Sequence, residues 1–82
     1  MKLIKLISAN YISDYNIEVT FNDGLKSIVD LKNELWGEIF EPLNDLNKFK
    51  KFRLNPFTIE WENGADFSPE FLYELAQEKT LK

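Results

Sequence analysis

Apolar and polar side chains alternate most strictly across residues 15–21, where Tyr15, Ile17, Val19 and Phe21 interleave with Asn16, Glu18 and Thr20. A period of two is that of a strand with one buried face. Asn22, Asp23 and Gly24 follow, residue types that tolerate the positive φ of a tight hairpin, and residues 25–31 resume as a further strand. Upstream, residues 3–9 are rich in leucine and isoleucine, too short a run for a stable lone helix, and are read as a first strand ended by the polar Asn10. These three segments predict an antiparallel meander.

The period is looser from residue 32 to residue 55. Leu35, Trp36, Ile39, Phe40 and Leu43 fit a short irregular helix that breaks near Gly37 and again at Pro42. Asn44 or Asp45 is placed to cap a second helical turn, with Leu46 and Phe49 inward and Asn47, Lys48, Lys50 and Lys51 outward. Residues 52–54 start another strand. After a turn at Asn55-Pro56, Phe57, Ile59 and Trp61 alternate with Thr58, Glu60 and Glu62 as one more.

Asn63-Gly64 ends that strand, and Ser68-Pro69 opens a helix. The serine hydroxyl can accept from an orphan N–H group, and proline stands where no N–H is needed. Glu70 adds a favourable charge to the first turn, and Phe67 is positioned to staple onto Leu72. Phe71, Leu72, Leu75 and Ala76 form one apolar stripe, with Glu74, Gln77, Glu78 and Lys79 opposite. The whole chain, residues 1–82, is thus expected to be a single α+β domain: an antiparallel sheet of about five strands beginning as a meander, a short irregular middle helix, and a C-terminal helix packed on the sheet.

Composition narrows the chemistry. The 82 residues include neither cysteine nor histidine. A disulfide framework, a thiolate nucleophile, a thiolate zinc site and a Ser-His-Asp arrangement are all excluded. Seven phenylalanines, three tyrosines and two tryptophans are the means by which so short a chain builds a core, and they leave little room for a deep pocket. The net charge of −4 opposes a general nucleic-acid coat or an anionic-membrane binder. The N-terminus has no apolar run of signal-peptide length, and no segment approaches a membrane span, so a cytoplasmic location with no membrane contact is expected.

Candidate sites each have a plain structural alternative. Asp23 and Gly24 suit a hairpin turn, and Asn63, Gly64, Asp66, Ser68 and Pro69 suit a turn followed by a helix cap. Asp66 sits where a strand end meets a helix start, so its carboxylate would either accept from the turn's own N–H groups or meet a ligand. Asp30 and Asp66 are the one carboxylate pair worth testing as an acid–base or hard-cation site, but no histidine, cysteine or phosphate loop stands behind them. No catalytic residue, metal or cofactor is assigned. Lys48, Lys50, Lys51 and Arg53, interleaved with Phe49 and Phe52, form the basic cluster K-F-K-K-F-R. They would either grip single-stranded nucleic acid, with bases stacked on the rings, or form a solvated face over core phenylalanines. Trp36, Trp61 and Tyr73 would be interface anchors or core.

Three local patterns together carry a family likeness: F-N-D-G at residues 21–24 with V-D-L at 29–31; I-F-E-P-L-N-D at 39–45 with Phe49 after it; and W-E-N-G-A-D-F-S-P-E-F-L-Y at 61–73. The chain resembles the bacterial domain-of-unknown-function family 2442 over nearly its whole length. That resemblance implies a compact α+β unit with no established activity, found alone or followed by a lambda-repressor-like helix-turn-helix, and often encoded beside another small protein. No helix-turn-helix segment follows the last helix in this sequence. The function expected is a non-enzymatic protein-interaction or regulatory module, antitoxin-like as the partner of a neighbouring small protein, or else self-associating. The alternative is a nucleic-acid-linked regulator acting through Lys48 to Arg53.

Overall fold

The computed structural model describes residues 3–80, and side chains through residue 78. Its first half is the expected meander. Strands β1 (Leu6–Ser13), β2 (Asn16–Phe21) and β3 (Lys26–Asp30) form an antiparallel sheet in the order β1-β2-β3. Ile17, Val19, Phe21 and Val29 point inward and are fully buried. The β2–β3 hairpin closes at Gly24, where φ is 94°, and the Asp23 carboxylate accepts the Leu25 N–H at 2.9 Å.

Strand β1 starts later than expected and runs four residues further, into a tight turn at Asp14, where φ is 47°. Asn10 does not end it. Asn10 lies opposite Glu18 on the outer face, while its neighbours Ala9 and Tyr11 face Val19 and Ile17. A polar residue on the solvated face of an antiparallel strand is what the pleat calls for.

The single five-stranded sheet is corrected to a three-stranded sheet plus a separate hairpin of β4 (Arg53–Leu54) and β5 (Ile59–Glu60). Turn chemistry explains the split. The Asn55 side chain accepts from the N–H groups of Phe57 and Thr58 at 2.8 and 2.7 Å, and the Asn55 backbone N–H donates to the Thr58 carbonyl at 2.8 Å. This tight loop limits the hairpin to two residue pairs and leaves Phe57 exposed. The large sheet is joined to it at the Leu6 N–H, which donates to the Phe57 carbonyl at 2.9 Å.

The middle segment is a set of turns. The residues from 35 to 43 do not form one helix. A 3₁₀ turn at Lys32–Glu34 gives way to a bend at Gly37 (φ 94°), and a second 3₁₀ turn follows at Glu41–Asn44, with Pro42 near its start. Asp45 then caps helix α1 (Leu46–Phe49) by accepting the Asn47 N–H at 3.0 Å. The C-terminal helix α2 (Pro69–Thr80) packs against β3 and buries Leu72 and Ala76. The expected outward placement of Lys79 falls outside the described side chains.

Aromatic rings connect these parts. Tyr15 meets Phe49 edge-on at 4.9 Å, Phe49 meets Trp61 at 5.6 Å, and Trp61 meets Phe67 at 5.9 Å. Each such pair contributes about 0.5–1.5 kcal/mol beyond its buried area. Among the described residues Thr58 is the buried polar side chain, and its hydroxyl donates to the Phe67 carbonyl at 2.7 Å.

Candidate functional site

The turn after β5 builds one side of the site. Trp61 N–H donates to the Ala65 carbonyl at 2.9 Å, Gly64 takes φ of 92°, and the Asn63 side chain accepts the Ala65 N–H at 3.1 Å. The Asn63 amide also donates across the molecule to the Ile39 carbonyl at 2.8 Å. That bond ties the segment just after Trp36 to the turn that leads from β5 towards α2. Ser68 caps the helix as expected, accepting the Phe71 N–H at 3.1 Å.

Between the bend and the helix start lies a cleft of about 290 Å³. Phe40, Phe67 and Phe71 form a near-parallel stack along it, with ring centroids 4.8 and 5.6 Å apart and planes inclined by 23° and 19°. Trp36 stands at the same cleft and is 76% exposed, the most exposed large apolar side chain among the described residues. Glu34 and Asp66 also line it.

Asp66 does not cap the turn. Its backbone pairs with Glu60, but its carboxylate enters no hydrogen bond or ion pair among the described residues. Asn63 accepts the turn's Ala65 N–H in its place. Asp30, by contrast, is a turn residue, accepting the Lys32 N–H at 3.0 Å. Glu34, rather than Asp30, shares the cleft with Asp66. No cluster of three or more metal-ligating side chains exists among the described residues.

The three aromatic candidates separate cleanly. Trp61 is buried, and its indole N–H donates to the Phe49 carbonyl at 2.8 Å. Tyr73 is half-buried, packs edge-on against Phe21, and donates its hydroxyl to Asp23. That hydrogen bond, then desolvation, then the charge of the carboxylate raise the Tyr73 pKa above the ordinary phenol value. Trp36 alone of the three is presented to solvent.

In the basic cluster, Phe49 is fully buried and Phe52 packs against the core. Neither ring forms an exposed stacking platform. Lys50 lies over the Tyr11 ring at 5.6 Å, and Arg53 pairs with Glu60 at 2.8 Å. Hydrogen bonds from Asn55 and Arg53 hold the Glu60 carboxyl below the usual carboxylate range, outweighing desolvation, and the charge of Arg53 acts in the same direction. Lys48 and Lys51 border a second cleft of about 480 Å³ beside Glu62 and Asn63.

Trp36 and Asp66 stand out in the sequence as candidates, and their cleft partners Glu34, Phe40 and Phe71 do not. Nothing in their spacing signals the meeting, because contacts such as the Phe40 to Phe67 stack and the nearby Asn63 to Ile39 bond join segments far apart in the chain.

A family profile described as "Protein of unknown function (DUF2442)" matches residues 6–78. The chain belongs to the DUF2442 family. The match covers all five strands and most of α2, and so includes every residue of the cleft. No curated protein and no solved structure matches the chain significantly. No described helix of this DUF2442 domain is long and apolar enough to cross a membrane.

Proposed function

We propose that this DUF2442 domain is a non-enzymatic protein-interaction module, regulatory in role and cytoplasmic, that engages a small partner protein through the cleft beside Trp36. The observation that carries this reading is the exposure of Trp36, 76% open beside a ready-made aromatic wall. A tryptophan left outside, in a domain that buries its other tryptophan, has its apolar area available to a partner. An antitoxin-like pairing with the product of a neighbouring gene is one form of this role. Self-association is another.

The test is capture from the native lysate after nuclease treatment, by the wild type and by Trp36→Ala in parallel, with sedimentation velocity of each purified protein. A single small protein retained by the wild type and lost by the variant is the expected result. A monomeric wild type that retains nothing, or retains the same protein as the variant, removes the proposal.

Less supports the nucleic-acid alternative. Lys48, Lys50 and Lys51 are exposed, but the rings between them are turned into the protein, so base stacking has no partner there. Oligonucleotide binding that weakens steeply with salt would revive it.

A further inference from the structure

Resting on the reading above, we propose that the cleft beside Trp36 receives an arginine side chain of the partner protein. Its ionisable lining is Glu34 and Asp66, with no lysine or arginine among the lining residues. Neither carboxylate has a hydrogen-bond or ion-pair partner among the described residues. Its apolar lining is aromatic throughout: Trp36, Phe40, Phe67 and Phe71. Aromatic faces attract cations through the ring quadrupole, and an adjacent carboxylate adds a direct charge.

The nearby helix start does not reverse this sign. Pro69 has no N–H, and Ser68 already accepts from Phe71 through its hydroxyl and from Leu72 through its carbonyl. Glu70 places a further negative charge in the first turn. An anion seated here would face two carboxylates and find few free donors.

Arginine fits better than the other cations. Its planar guanidinium lies flat against aromatic faces and simultaneously offers a fork of N–H groups to a carboxylate. A lysine ammonium is a strongly hydrated point charge without a stacking face, and a quaternary ammonium has no N–H to give Asp66.

The test is a two-dimensional amide NMR titration of the full chain with acetyl-arginine methylamide, repeated with the lysine and citrulline counterparts. Citrulline keeps the shape of arginine and loses its charge. The Trp36 indole and the Phe71 amide should shift with arginine while the Trp61 indole stays still. Apparent affinity should fall about tenfold for citrulline, and the response should vanish in Asp66→Asn. Arginine and citrulline acting alike, an unchanged response in Asp66→Asn, or no shift at the highest usable arginine concentration would overturn the inference. Partner capture that needs Trp36 but is accompanied by no arginine response leaves the interaction module standing and removes only this assignment. An arginine response with no partner captured removes the interaction module and, with it, a partner protein as the source of the arginine.

Discussion

The indole N–H of Trp61 donates to the main-chain carbonyl of Phe49 at 2.8 Å, so a side chain of the small hairpin region supplies the donor for a carbonyl at the end of α1. Both rings are buried and lie 5.6 Å apart. Trp61→Phe keeps most of the ring volume but leaves that carbonyl unpaired, and should cost about 1–3 kcal/mol in urea unfolding. Trp61→Ala should cost about 3–5 kcal/mol. Trp36→Ala, at the exposed position, should stay within about 0.5 kcal/mol of wild type.

Thr58 presents the same logic on a smaller scale. Its buried hydroxyl satisfies the Phe67 carbonyl, and Thr58→Val preserves shape while removing that donor. Destabilisation of about 1–3 kcal/mol is expected by thermal or denaturant unfolding.

Two residues close together after β5 should respond unequally. Asn63→Ala loses both the acceptor for Ala65 N–H and the donor to the Ile39 carbonyl, and should cost about 1–2 kcal/mol. Asp66→Asn alters a carboxylate that bonds to nothing described, and should leave stability within about 0.5 kcal/mol. Equal losses in the two variants, compared by urea midpoints, would show that Asp66 stabilises the turn after all.

Glu60 gives the fold an acid-sensitive contact. Because its carboxyl titrates below the ordinary range when folded, its contribution is fully present above the unfolded glutamate value, about 4.3. It is lost as pH falls through the depressed folded value. The stability gap between wild type and Glu60→Gln should therefore narrow from neutral pH towards acid. A gap that is constant with pH in unfolding curves would count against the Arg53 and Asn55 contacts.

Tyr73 should behave in the opposite direction. Its pKa is raised by Asp23, so the stabilisation is present below the ordinary phenol value and disappears as pH rises through the folded one. Phenolate absorbance during alkaline titration should show Tyr73 ionising late in the wild type. In Asp23→Asn that tyrosine should ionise earlier.

The sequence by itself determined the elements whose signals are local. The strict alternation of residues 15–21, the Asp23-Gly24 turn and the Ser68-Pro69 cap all appear as read, because pleat period, positive φ and cap chemistry act within a few residues. The α+β class was legible for the same reason. Sheet membership was not: alternation marks a strand but does not say which strand it pairs with, and here the Asn55 loop turned β4 and β5 into a hairpin of their own. The roles of the tryptophans were equally hidden. Trp36 and Trp61 are alike in chemistry, and only tertiary packing buried one against Phe49 and left the other beside Asp66. The cleft itself depends on contacts made across long stretches of chain, such as Asn63 with Ile39. Contacts of that kind are decided by how the whole core closes, and leave no periodic trace in the residues that make them.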